Sequence, residues 1–180
     1  MVFRNLTTFF WVSCLFLSGE ILVAENLLTS YRWDYISDRV MGGLSDGKAQ
    51  YEVTTSGRAL RLIGEVSTAN NGGFIQVRTQ DLKTTPENAL GLQVTVKGNL
   101  ESYFIHIRTS GTRLPWHYYA HSFKTTSEWT VVKLPFNKFK RSSRFINKNL
   151  NKSKISSIGI VAYGKDHHAD LYIQDFRFYD

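Results

Sequence analysis

The sequence predicts an all-β fold, a sandwich of two antiparallel sheets of the jelly-roll kind, and three observations predict it. Leu92, Val94 and Val96 alternate with Gln93, Thr95 and Lys97, the period of two expected where one face of a strand is buried. Similar short runs recur at 49–54, 59–66, 74–78, 103–109, 116–123, 129–134, 155–162 and 170–178. Between them sit Asp46-Gly47, Ser56-Gly57, Gly98-Asn99, Ser110-Gly111 and Gly164-Lys165, residue types that accept positive φ or close a hairpin. No window carries a helical period over more than about ten residues. Many short strands with turn signals between them, and no helices to cover a parallel sheet, leave two packed antiparallel sheets.

Length and composition suit one such domain. The 180 residues are 42% hydrophobic and 14% aromatic, with three prolines, enough apolar surface for a single core. The first 24 residues read differently from the rest. One early cation, Arg4, precedes an apolar run from Leu6 to Leu17, and small residues follow at Gly19 and Ala24. That is the pattern of a secretory signal peptide, which leaves residues 25–180 as a β-sandwich domain in the periplasm or outside the cell. An uncleaved anchor over residues 6–23 is the alternative, since its length just reaches a tilted span. The only cysteine, Cys14, lies in this run, so the remainder has no disulfide or thiolate chemistry. Cys14 as a lipidation site is disfavoured by the short apolar stretch before it.

Residues 37–47, SDRVMGGLSDG, ask for an explanation of their glycines. A phosphate loop requires a helix after the glycines, and none is predicted after Gly43. A calcium loop would draw on Asp38 and Asp46, but an acidic cluster of three or more is missing. The remaining reading is geometric. Gly42-Gly43 permits a bulge or a close approach to a neighbouring strand, and Asp46-Gly47 closes a hairpin.

The same residues carry a resemblance. Trp33, Ser37-Asp38, Val40-Met41-Gly42-Gly43 and Ser45, then Asn71-Gly72-Gly73-Phe74 and Arg78, resemble the signature of the complex I intermediate-associated protein family, the thirty-kilodalton assembly factor and its bacterial relatives. The likeness continues through Tyr119–Phe123, Trp129, Leu134-Pro135-Phe136, Phe139 and Lys154–Ile160. It implies a fold like the galactose-binding jelly rolls and a non-enzymatic, chaperone-like role in assembling or holding a partner protein, such as a membrane-complex subunit. Mitochondrial members help build the membrane arm of complex I. The leader sets this chain apart from them.

Charge supplies a separate clue. Lys and Arg total 22 against 15 Asp and Glu, a net charge of +7. Eight of those cations, and no acid, lie between Lys133 and Lys154. A basic loop there, including Lys138, Lys140, Arg141 and Arg144, suits an anionic surface such as acidic phospholipid, a polyanionic glycan or an acidic protein patch. Nucleic acid is not expected, because Phe136, Phe139 and Phe145 form no recognised nucleic-acid motif. The plain alternative is a solvated loop that maintains solubility.

Candidate chemistry is sparse, and neither an enzyme nor a cofactor or metal is expected. His117 and His121 stand about 13 Å apart on a strand, too far to share an ion. Asp166, His167, His168 and Asp170 read as an exposed hairpin tip. His106 and Arg108 share a strand face with Phe104, without a carboxylate or nucleophile spaced to complete a catalytic site. Set beside Tyr119 and His121 of the next strand, they would form an aromatic face with hydrogen-bonding groups, the kind of surface that binds sugars. The sequence thus predicts a non-catalytic binding protein for a protein partner, with a carbohydrate-binding module as the alternative.

Overall fold

The computed structural model describes residues 25–80 and 82–180. The leader, the possible anchor and Cys14 lie outside these residues. One turn of helix, α1 (Leu27–Ser30), opens the described chain, with the Asn26 side chain capping it by accepting from Leu28 N–H. Eleven strands follow: β1 (Trp33–Ser37), β2 (Asp46–Thr54), β3 (Gly57–Val66), β4 (Phe74–Thr79), β5 (Gly91–Gly98), β6 (Ser102–Thr109), β7 (Tyr119–Lys124), β8 (Thr130–Pro135), β9 (Lys140–Arg141), β10 (Ile155–Tyr163) and β11 (His167–Tyr179). They form a six-stranded sheet, β1-β4-β10-β6-β7-β9, and a five-stranded sheet, β2-β3-β11-β5-β8. Every pairing is antiparallel. The fold is the predicted two-sheet sandwich.

Alternation explains which face each strand buries. Tyr103, Ile105 and Ile107 on β6 are fully buried, as are Ile75 and Val77 on β4 and Ile158 and Ile160 on β10. Facing them are Leu62, Leu92, Val94, Leu171, Ile173 and Phe176 of the five-stranded sheet. Removing each large side chain from water stabilises the fold by about 1.5–3 kcal/mol before entropy is counted. α1 adds Leu27 and Leu28 to this core, and Trp33 closes it by donating its indole N–H to Leu27 O at 3.0 Å and tilting against Phe176.

Three local expectations are corrected. Asp46-Gly47 closes no hairpin: both residues lie inside β2, where Gly47 faces Gly64 so closely that a Cβ would overlap the Ile63 carbonyl. The turn is made instead by residues 55–56, ahead of Gly57. The run 116–123 is strand only from Tyr119, because residues 114–118 turn across the sheet. His167 and His168 belong to β11 rather than to a hairpin tip, and His168 Nδ1 lies 2.5 Å from Glu65 Oε1. Asp166, in the turn before β11, accepts from the N–H and hydroxyl of Thr68 and so ties that turn to the β3–β4 connection.

One polar tie joins the sheets. The Tyr103 hydroxyl on β6 donates to Asn99 Oδ1 and accepts from Asp170 N–H on β11, both at 2.8 Å. Burial pushes this phenol up, so it stays protonated as a donor. Tyr103→Phe leaves the Asp170 N–H without its partner and is expected to cost about 1–3 kcal/mol. A urea midpoint that does not move would show that water replaces the hydroxyl.

Candidate functional site

Asp38 organises one end of the six-stranded sheet. Its carboxylate is fully buried. Oδ1 accepts from Ser45 N–H at 2.9 Å, and Oδ2 accepts from the Ser45 hydroxyl at 2.5 Å, Gly73 N–H at 2.5 Å and Phe74 N–H at 3.2 Å. Burial pushes its pKa up, but these four donors outweigh burial and hold it below the ordinary 3.8. The two glycine pairs are explained by this carboxylate. A Cβ on Gly43 would overlap the Asp38 carboxyl carbon from one side, and a Cβ on Gly72 would overlap Oδ2 from the other. Gly42 ends the preceding turn with φ +87°, a conformation that glycine adopts without steric cost. A carboxylate saturated by N–H and O–H donors is the reverse of a cation site, and Asp46 turns away to Arg39 at 3.6 Å.

The two loops pinned by Asp38 form a wall. Val40, Met41, Asn71 and Gly72 of that wall border a cleft of about 630 Å³ on the outer face of the six-stranded sheet. Its floor is made by the outward residues of three adjacent strands, with Arg78 of β4, Gly159 of β10 and His106 of β6 in one cross-strand row. Gln76, Val161 and Tyr163 extend the floor. Val161 is only 1% exposed although it points away from the core, because the walls rise over it. Pro115, Trp116 and Tyr118 make the opposite wall.

That second wall is also fixed by polar contacts. Arg108 donates from Nη2 to the carbonyls of Thr112 and Leu114 at 2.9 and 3.0 Å. Ser142 donates its hydroxyl to Trp116 O and its N–H to Tyr118 O, while accepting Tyr118 N–H. Tyr118 stacks on His106 with centroids 4.0 Å apart. Trp116 itself stays 61% exposed, as does Met41, and Val40 is 73% exposed. The cleft thus has a rigid frame and an apolar, aromatic rim.

Burial holds the cleft's imidazole and one of its phenols in their neutral forms. Burial pushes the His106 imidazole down to about 4, so the ring is neutral near pH 7. Burial, followed by the neighbouring Tyr163, pushes the Tyr118 phenol up. Among the described residues, no Asp, Glu, Ser, Thr, Cys or Lys side chain lines the cleft. The titratable side chains that do line it are Arg78, His106, Arg108, Tyr118 and Tyr163.

The structure divides the sequence-predicted residues. Trp33, Ser37, Asp38, Gly42, Gly43, Gly72, Gly73, Phe74 and Arg78 fall on β1, β4 and the loops around Asp38, with Gly72, Phe74 and Arg78 reaching the cleft. Phe104, His106 and Arg108 share the outer face as expected, and Phe104 meets Tyr163 edge-on at 5.9 Å. Tyr119 and His121 do not join them. Tyr119 pairs with Ile107 and His121 with Ile105, which turns both toward the inner face. Tyr119 is 3% exposed, and His121 packs against Phe139. Tyr118 holds the position that Tyr119 was expected to hold. The apolar positions 119 and 123, against Ser122 and Lys124, carried the phase of this strand in the sequence.

The basic stretch is more structured than a loop. Phe136 and Phe139 are buried, β9 adds Lys140 and Arg141 to the sheet edge, and Phe145 is exposed. Arg141 donates to the carbonyls of Arg144 and Ile146, and Lys152 to those of Glu87 and Ala89. Lys138, Lys140, Arg141 and Arg144 are all exposed.

Several solved structures share the fold. The family 11 carbohydrate-binding module from Clostridium thermocellum, in complex with a β-1,3-1,4-mixed-linked tetrasaccharide, superposes with a TM-score of 0.66 over 81% of this chain and 87% of that one, at 14% identity. The family 11 module of a cellulosomal cellulase of Clostridium thermocellum gives 0.66 over 88% and 89%, at 13% identity. A family 30 carbohydrate-binding module gives 0.53 over 77% and 92%, at 14% identity. At these identities the likeness is one of fold. No curated protein matches the chain in sequence. The model of the family described as complex I intermediate-associated protein 30 matches residues 23–173, and the chain belongs to that family.

Proposed function

We propose that this protein is a non-catalytic binding protein that holds a partner protein during assembly, in the sense of its family's description, and that the partner sits in the cleft on the outer face of the six-stranded sheet. The observation that carries the reading is the rim. Trp116, Met41 and Val40 stand exposed around a cleft lined by Arg78, Arg108, Tyr118 and Tyr163. Aromatic residues, Met and Arg are the types enriched at protein interfaces, and hot spots favour Trp, Tyr and Arg. The frame is rigid on both sides, so little ordering entropy opposes docking. The partner is met beyond the membrane that the leader crosses.

A second reading has its own support. An aromatic cleft with Gln76 and Asn71 among its polar groups also suits a sugar chain, and the similar solved structures are carbohydrate-binding modules. The apolar rim is what favours protein: Val40 and Met41 offer no hydrogen bonds to hydroxyls.

The test compares wild type with Trp116→Ala. Pull-downs from membrane fractions are expected to enrich a defined set of membrane-complex subunits, with about 10–100-fold weaker binding for the variant, the usual loss when an aromatic hot spot is truncated. Empty pull-downs together with Trp116-dependent binding on a glycan array would put the sugar reading first.

A further inference from the structure

Two guanidinium groups in the cleft have no negative partner among the described residues. Arg78 and Arg108 both line it, and the described residues of the lining include no Asp or Glu. Arg78 Nε is buried without a hydrogen-bond partner. Its cross-strand neighbour is Asp34, but that carboxylate pairs with Arg32 at 2.7 Å. Arg108 spends one nitrogen on two loop carbonyls, which fixes its position and leaves its charge uncompensated. Burial, then the charge of Arg78, push the Arg108 pKa down, though a guanidinium stays protonated.

Elsewhere the chain treats arginine differently. Arg61, on the outer face of the other sheet, holds Asp170 through two bonds of 2.9 Å, and Arg177 holds Asp175 through two of 2.7 and 2.8 Å. Partly buried guanidiniums on that sheet are matched in place; those of the cleft are not. Keeping two like charges together without a counterion is unfavourable, and a ligand carrying an anion removes that cost. Guanidinium is also the group best shaped to hold a carboxylate through two parallel bonds.

We propose that the segment held in the cleft is an acidic, extended peptide, with a carboxylate engaged by Arg78 and Arg108 while an apolar side chain beside it packs on Trp116, Met41 and Val40. This rests on reading the cleft as the place where a partner protein is held. The apolar rim selects a peptide carboxylate over that of an acidic sugar. The volume lies within the range of about 300–1,000 Å³ typical of sites that enclose a small ligand, so the cleft takes a few residues of an extended chain.

A displayed library of random dodecapeptides, selected on the immobilised full chain, tests this without knowledge of the natural partner. Selected peptides are expected to be enriched in Asp or Glu next to an apolar or aromatic residue. Arg78→Gln weakens them about tenfold or more, and Arg78→Lys restores part of the loss. Replacing the peptide's acid by its amide costs as much, and the two changes together cost little more than either alone. Thermal melting confirms that each variant is folded. Peptides that depend on Trp116 but show no acid preference and ignore Arg78→Gln would overturn the anion inference and leave partner holding intact. Failure to select any peptide, with Arg78-dependent binding of oligogalacturonate instead, would overturn both.

Discussion

Asp38→Asn is expected to be the most damaging single change short of truncating the core, costing about 3–5 kcal/mol. The carboxylate has no exposed surface and receives four hydrogen bonds from three residues, Ser45 ahead of β2 and Gly73 and Phe74 at the start of β4. An amide keeps one acceptor oxygen, but its NH₂ must then face a donor, Ser45 N–H or the cluster at Oδ2. Losing the charge weakens the remaining bonds, and leaving a buried group unpaired adds its desolvation cost. For a chain of this size the melting temperature should drop by roughly 6–20 °C. The same residue sets an acid limit. Its pKa is lowered in the fold, so its contribution is complete above the unfolded value of about 3.9 and is lost as pH falls through the folded value. Calorimetry from pH 6 to pH 2 should show the difference between wild type and Asp38→Asn narrowing at the acid end. A constant difference across that range would mean that the carboxylate's charge contributes nothing.

Gly43→Ala should be nearly as damaging, about 2–4 kcal/mol, for a reason that differs from the usual cost of replacing glycine. Gly42, next to it, has the left-handed φ of +87° but open space around a hypothetical Cβ, so Gly42→Ala should cost only about 1–2 kcal/mol. At Gly43 the new methyl group collides with the buried carboxyl, which cannot move without giving up its donors. The two sites are therefore coupled. In an Asp38→Ala background, where the space beside Gly43 is vacated, Gly43→Ala should cost much less than in wild type. Strict additivity of the two substitutions in urea titrations would remove the collision as the explanation. Because this loop carries Val40 and Met41, both variants should also weaken partner binding beyond what their stability alone dictates.

The sheets were legible because burial on one face writes a period of two into the residues. Leu92, Val94 and Val96 identified β5, and Tyr103, Ile105 and Ile107 identified β6. Short edge strands left little trace. β9 has two residues, both charged and exposed, so nothing in its composition distinguishes it from a loop. β1 was hidden by half-burial along most of its length. The glycine pairs announced close approach, but what approaches them is an acid from the neighbouring turn, and no local pattern distinguishes a buried Asp38 from an exposed one.

The cleft was half legible for a related reason. Phe104, His106 and Arg108 shared a face by alternation alone. Their neighbours depended on the register of β7 against β6, where a shift of one residue exchanges Tyr118 for Tyr119. Gln76, Trp116 and Tyr163 come from three further places in the chain, and only the strand order β4-β10-β6-β7 brings them to one surface. Arg78 was visible as part of the family motif, yet its lack of a carboxylate partner is a property of the assembled sheet.

Site-specific photo-crosslinking in cells that make the protein tests most directly whether the outer face of the six-stranded sheet is where a partner is held. A benzophenone amino acid in place of Trp116, at the rim, is compared with the same group in place of Val53, which is 90% exposed at the edge of the other sheet. A discrete protein adduct from position 116, absent from position 53 and diminished by Arg78→Gln, is the predicted result. Equal adducts from both positions, or an adduct from position 53 alone, would contradict it.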